Sequence, residues 1–107
     1  MDIKYSDRVK QWSEGYPLIQ RATSRLAEIL EEDADHVSGE WDLTKNEKGQ
    51  VVATLRLRDA PFEAVGKFEP DDLESPALTS FGLGRTWSQL LQARSDKMFK
   101  DLVGTGD

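Results

Sequence analysis

Residues 39–68 read GEWDLTKNEKGQVVATLRLRDAPFEAVGKF, and apolar and polar residues alternate through two runs on either side of Asn46–Gly49. Alternation with a period of two is typical of β-strands that bury one face. A three-residue loop of Glu47, Lys48 and Gly49 suits a hairpin, because glycine readily adopts the left-handed backbone that such a loop requires. This stretch therefore predicts an antiparallel hairpin.

The loop length also predicts the register of the hairpin, because Asn46 then lies opposite Gln50. One face holds the pairs Thr44–Val52, Asp42–Thr54 and Glu40–Arg56, and the other holds Leu43–Ala53, Trp41–Leu55 and Gly39–Leu57. A slip of one residue would place Trp41 opposite Thr54 and mix the two faces. We therefore expect the second set of pairs to face the core.

A third antiparallel strand is predicted at residues 62–68, which alternate again after the turn at residues 59–61. Val65 is an apolar residue among the outward positions of this strand. The apolar face gains Phe62, Ala64 and Phe68. In a simple three-stranded meander the first strand, Gly39–Thr44, is an edge.

Helical patterns flank the strands. Residues 6–13 suit a short helix with Ser6 as its N-cap, and an amphipathic helix is predicted from Pro17 to about Glu32. Two prolines and two glycines interrupt residues 69–85, which we read as a loop with a helical turn at 71–74. The last helix is predicted from Thr86, as N-cap, to about Val103, with Arg94 interrupting its apolar stripe.

These elements predict one α+β domain spanning residues 1–107, with a helical part at 6–32, an antiparallel sheet at 38–68, a loop at 69–85 and a helix at 86–103. The order is helix, three-stranded meander, long loop, helix. Both helices would cover one face of the sheet, giving two layers. Opposite charges at cross-strand spacing would occupy the other face as solvated ion pairs.

The composition limits the classes of partner and compartment. The chain carries 20 acidic and 14 basic side chains, a net charge of −6, which opposes binding to a phosphate backbone. It has no cysteine, no run of the length that spans a bilayer and no signal-peptide pattern at its start. We expect a soluble, cytoplasmic protein that binds neither nucleic acid nor membrane.

The sequence offers few residues that could carry out catalysis. His36 is the only histidine, and no nucleophile elbow accompanies it. A calcium loop beginning at Asp33 fails because Val37 and Thr44 stand where oxygen ligands belong. We expect no cofactor, no metal and no catalytic residue. Glu31 and its acidic neighbours at the end of a helix oppose the macrodipole, which a frayed helix end or a cation would relieve.

One ligand site is nevertheless suggested by the segment from Gly82 to Ser88, at the predicted start of the last helix. Exposed amide groups at a helix N-terminus favour anions. The candidate binding residues are Gly82, Gly84, Arg85, Thr86 and Ser88. This alternative predicts a domain that binds a small molecule or an anion, with or without hydrolysing it.

The leading hypothesis is a protein–protein interaction or adaptor domain without catalytic activity. A protein partner or a second copy, as a homodimer, would use a sheet edge, the open sheet face or the last helix. Candidate surface residues are Glu40, Asp42, Arg56, Arg58 and Trp87. Trp41 is expected in the core, whereas Trp12 and Trp87 suit either the core or a contact surface. A further possibility is that the acidic chain masks a basic protein.

Overall fold

The structure, a computed structural model, describes the backbone of residues 1–104 and the side chains of residues 1–98. The elements along the chain are β1 (Asp2–Tyr5), α1 (Asp7–Gln11), α2 (Tyr16–Leu30), a 3₁₀ helix (Glu31–His36), β2 (Ser38–Lys45), β3 (Val51–Asp59), β4 (Phe62–Phe68), α3 (Pro70–Glu74) and α4 (Pro76–Gly104). The α+β class is confirmed, but the sheet is mixed and has four strands in the order β1-β2-β3-β4.

The predicted hairpin of β2 and β3 is confirmed with its register. All six predicted pairs are present, including Trp41 opposite Leu55 and Glu40 opposite Arg56. Gly49 has a φ of 76°, the left-handed conformation that the loop requires. The Asn46 side chain accepts hydrogen bonds from the Lys48 and Gln50 amides at 2.9 Å and so stabilises the turn.

The strand β1 is an addition that the sequence analysis missed. It lies parallel to the first half of β2, from Asp2 opposite Ser38 to Tyr5 opposite Trp41. The Ser6 amide then donates to the Trp41 carbonyl at 3.0 Å, and Ser6 caps α1 through its hydroxyl, as predicted. Residues 39–41 therefore have neighbours on both sides, and the prediction that the first strand of the meander is a sheet edge is wrong there.

The core lies between one face of the sheet and the two long helices. Apolar side chains of α2, α4, β2, β3 and β4 form one cluster, with Trp41 fully buried as predicted. The ring centroids of Trp41 and Phe68 are 5.4 Å apart. The Trp41 indole N–H donates to the Thr23 hydroxyl of α2 at 3.0 Å, so the one polar atom of this ring is satisfied.

The prediction of a loop at 69–85 is wrong except for its helical turn, which is α3. The last helix begins at Pro76, not at Thr86. Proline is favoured in the first helical turn, where its missing N–H costs nothing, and the Ser75 hydroxyl accepts the Leu78 amide at 3.3 Å. Thr86 lies inside the helix, where its hydroxyl donates to the Gly82 carbonyl at 2.8 Å. The loop and the N-cap at Thr86 are thus replaced by a continuous helix.

The other face of the sheet carries ion pairs, as predicted. Glu63 lies 2.9 Å from Arg56 and 3.2 Å from Arg58, and Arg8 of α1 lies 3.7 Å from Asp42. On the face that the helices cover, Arg94 of α4 pairs with Asp59 of β3 at 3.1 Å, which explains the interrupted apolar stripe of this helix. No helix among the described residues combines the length and the hydrophobicity needed to cross a membrane.

Candidate interaction groove

The outer strand β4 presents a free row of backbone groups. Next to the hairpin turn, the Asn46 amide donates to the Gln50 carbonyl at 3.0 Å, and such pairs recur at every second position of an antiparallel ladder. Even-numbered residues of β3 therefore point their backbone groups at β2, and odd-numbered residues at β4. On β4 their partners are even-numbered, such as Gly66 opposite Leu55. The residues whose N–H and C=O groups point away from the sheet are Glu63, Val65 and Lys67.

The helix α4 lies directly over β4, because two glycines allow a close approach. A Cβ atom on Gly66 would overlap the Thr86 hydroxyl, and one on Gly82 would overlap the buried ring of Phe68. Thr86 is itself buried at this contact. The contact leaves one side of α4 overhanging the free edge of β4.

A groove of about 410 Å³ runs between this edge and the overhanging side of the helix. Its apolar rim is unusually exposed: Val65 is 42 % exposed, Leu78 51 % and Phe81 68 %. These are three of the five large apolar side chains that are exposed among the described residues. Exposed apolar side chains beside unpaired backbone groups are the features that association with another chain would use.

Two cations flank the groove. Lys67 and Arg85 line it, both are exposed, and neither forms an ion pair with another described residue. The one carboxylate in the lining, Asp72, already accepts the Glu69 amide at 3.0 Å in the capping box of α3. The charged residues of the lining are therefore two cations and one anion, a formal net charge of +1 within a chain of net charge −6.

Three of the five predicted anion-site residues line this groove, and the other two do not. Gly82, Arg85 and Thr86 line the groove, whereas Gly84 and Ser88 do not. All five lie in the interior of α4, where amide groups bond within the helix instead of facing a ligand. The predicted mechanism, capture of an anion at the helix N-terminus, is therefore wrong for this segment.

The predicted surface residues of the sheet lie on its open face. Glu40, Arg56 and Arg58 line a shallow cavity of about 110 Å³ together with Lys4 of β1. Charges of both signs already meet there, since Arg56 and Arg58 pair with Glu63. The side chain of Val65, opposite Arg56, also points to this face, whereas Leu78 and Phe81 lie on the side of the groove formed by α4.

Asp42 acts as a link between β2 and the segment that precedes α1. The Ser6 hydroxyl, the Leu43 amide, Arg8 and Arg56 together hold the pKa of the Asp42 carboxyl below its ordinary value, against the opposing effect of partial burial. The Leu43 amide donates to this carboxylate at 2.8 Å. Because β1 ends opposite Trp41, Leu43 lies on a second stretch of open sheet edge. The backbone N–H group of Leu43, however, already donates to the Asp42 carboxylate.

An apolar notch adjoins this second stretch, with a volume of about 570 Å³ and a lining that includes Trp12, Leu43 and Val51. These side chains are half-buried. Trp87, in contrast, is only 8 % exposed and belongs to the core, so it is not available as a contact residue. The β4 groove thus offers the more exposed apolar side chains.

The acidic segment around His36 contains no grouped ligands. His36 is exposed, and no three metal-binding side chains come together among the described residues. The helix α2 ends at Leu30, and Glu31, with a φ of 50°, starts the 3₁₀ helix. Glu31 is thus both the C-cap of α2 and the first residue of the 3₁₀ helix, and the acidic residues occupy the first turn of this second helix, where negative charge is favourable.

Sequence reasoning missed the residues that give the groove its character: Val65, Lys67, Leu78 and Phe81. The one available signal was Val65, an apolar residue at an outward position.

Comparison with protein-family models, with curated proteins and with solved structures found no match for this chain.

Proposed function

We propose that this chain is a protein–protein interaction domain, without catalytic activity of its own, that binds an extended segment of a partner along the free edge of β4. The observation that carries the proposal is the coincidence of outward backbone groups at Glu63, Val65 and Lys67 with the exposed side chains of Leu78 and Phe81. An added strand would use the former for hydrogen bonds and the latter for apolar contact.

The edge remains open to such binding, although two of its three outward residues, Glu63 and Lys67, are charged. Sheet edges are normally shielded by short strands, charges, prolines or a covering segment. The seven residues of β4 include no proline, and an exposed Val65 stands at the middle of the outward row. No other described segment makes a backbone hydrogen bond to this row.

One substitution tests the backbone contribution alone. Val65→Pro removes an outward N–H group and leaves the hydrogen bonds between β3 and β4 in place, since proline is tolerated on an edge strand. Val65→Thr keeps both the N–H group and a β-branched side chain and is the matched control. Circular dichroism and the urea midpoint would establish that both variants remain folded.

The experiment is a selection of random twelve-residue peptides on sparsely immobilised wild-type protein, followed by titration of the selected peptides. Sparse immobilisation prevents association between copies. We expect the selected peptides to lose most of their affinity for Val65→Pro and to keep it for Val65→Thr. Peptides that bind both variants equally would contradict the proposal, as would a selection that yields no binder.

A further inference from the structure

We infer that the segment taken up by the β4 groove carries two adjacent acidic residues between two apolar residues. This inference rests on the proposed function and adds the chemistry of the partner. Its basis is the position of each groove residue relative to an added strand, whose successive side chains point alternately to the open face and to α4.

On the open face, the added strand meets the outward side chains of β4. A residue opposite Lys67 lies about 5 Å from it, measured between Cβ atoms, so an acidic side chain there gives a favourable cross-strand pair. Two positions further along, the residue opposite Val65 is favoured as apolar. Glu63 makes no comparable demand, because Arg56 and Arg58 already neutralise it.

On the helix face, α4 presents an apolar end and a cationic end. Phe81 adjoins Gly82, which contacts Phe68 at the end of β4, and Arg85 adjoins Thr86, which contacts Gly66. A side chain of the added strand that points to the helix near Phe68 therefore meets an aromatic ring. The next one on this face, beside Gly66, meets the Arg85 guanidinium.

The two faces combine into a single pattern. In order along β4 from Phe68, the added strand meets Phe81, Lys67, Arg85 and Val65, which favours the succession apolar, acidic, acidic, apolar. The pattern reads the same from either end, so it holds for parallel and antiparallel addition. The unpaired charges of Lys67 and Arg85 select acidic over neutral residues at the central two positions.

A second copy of this chain fits the groove less well. Because α4 lies directly over β4, pairing two β4 edges would bring two helices toward the spacing of adjacent strands, about 5 Å, whereas packed helices need about 8–10 Å. The same pairing would bring the two Arg85 side chains together. A strand without its own covering helix avoids both conflicts.

The experiment measures the affinity of a fluorescein-labelled, ten-residue peptide with blocked ends and Val-Glu-Glu-Val at its centre, by fluorescence polarisation at low ionic strength. A Val-Gln-Gln-Val peptide is the matched ligand. We expect the acidic peptide to bind about two- to thirtyfold more tightly, the range for two exposed ion pairs, with the difference shrinking in high salt.

Single substitutions test whether Lys67 and Arg85 cause the preference for the acidic peptide. Lys67→Ala and Arg85→Ala should each reduce the preference for the acidic peptide, while Lys48→Ala, at an exposed cation of the hairpin turn, should leave it unchanged. Equal affinity for the two peptides, or a preference that survives Lys67→Ala and Arg85→Ala together, would overturn the inference. If both peptides still depended on Val65 by the proline and threonine comparison, the proposed function would stand.

Sedimentation velocity of the unlabelled protein tests whether a second copy of the chain occupies the groove instead. The inference predicts a monomer of 12.1 kDa at the concentrations used for binding. A dimer that Val65→Pro dissociates and Val65→Thr does not, together with failure of both peptides to bind, would overturn the inference and identify a second copy as the occupant.

Discussion

Thr86 of α4 lies so close to Gly66 of β4 that no side chain larger than hydrogen fits between the helix and the strand at this point. The threonine hydroxyl donates to the Gly82 carbonyl at 2.8 Å, so its proton is satisfied within the helix. This contact places α4 over the last strand of the sheet and leaves the groove at its outer edge.

Substitution by alanine is expected to lower the free energy of unfolding at Gly82 of α4 and to raise it at Gly84. Gly82→Ala places a methyl group against the ring of Phe68, which is 1 % exposed and cannot move aside, and overpacking of this kind costs about 1–3 kcal/mol. A Cβ atom on Gly84 meets nothing within 4 Å, so Gly84→Ala should stabilise the helix by about 0.5–1 kcal/mol.

Urea unfolding of the two variants beside the wild type measures both effects on the free energy of unfolding. Gly84→Ala serves as the control for the helix propensity of alanine. A stability gain of the same size at Gly82 would mean that α4 does not pack against β4 as closely as described.

Thr23 is predicted to stabilise the core through its hydroxyl. This oxygen accepts the Trp41 indole N–H at 3.0 Å and the Tyr5 hydroxyl at 3.1 Å. Thr23→Val keeps the shape but leaves the fully buried indole without a partner, at a cost of about 1–3 kcal/mol. Thr23→Ser retains the hydroxyl and loses one methyl group, about 1 kcal/mol or less. A valine variant as stable as the serine variant in urea would contradict this role.

Asp42 is predicted to make stability depend on pH. Its folded pKa is lowered, chiefly by the Ser6 hydroxyl. Its contribution is therefore fully present above the unfolded pKa, about 3.9, and lost as the pH falls through the folded value. Asp42→Asn should destabilise the protein at pH 7, and the gap to the wild type should narrow below about pH 4.

Urea unfolding at pH 7 and at pH 3 measures this gap, with Glu47→Gln of the exposed hairpin turn as the control for the change in net charge. A gap that stays constant or widens toward acid would show that the Asp42 carboxylate is not stabilised in the folded state.

The parts of the fold that follow local rules were predictable from the sequence. The hairpin register came from the period of two and from one left-handed glycine, Gly49, both of which operate between near neighbours. The strand β1 was not predictable in this way, because it pairs in parallel with residues such as Ser38, which lies far along the chain, and no turn sequence announces such a pairing.

The start of α4 was missed for a related reason. Gly82 and Gly84 weaken the helical pattern, and their presence favoured a loop. The structure shows that the tertiary contact with Phe68 requires a residue without a Cβ atom at position 82, so packing overrides propensity there. Of the two elements that form the groove, the edge position of β4 follows from the predicted meander, whereas the part of the last helix that overhangs this edge was not predicted.

The most direct test of strand addition at β4 is amide hydrogen exchange, residue by residue, in the presence and absence of a peptide selected on the wild-type protein. Added hydrogen bonds slow exchange at the donors that they engage. Strand addition at β4 predicts slower exchange at Glu63, Val65 and Lys67, whose N–H groups point away from the sheet, and little change at Gly66. Protection confined to another surface, such as the notch at Trp12 and Leu43, would contradict it.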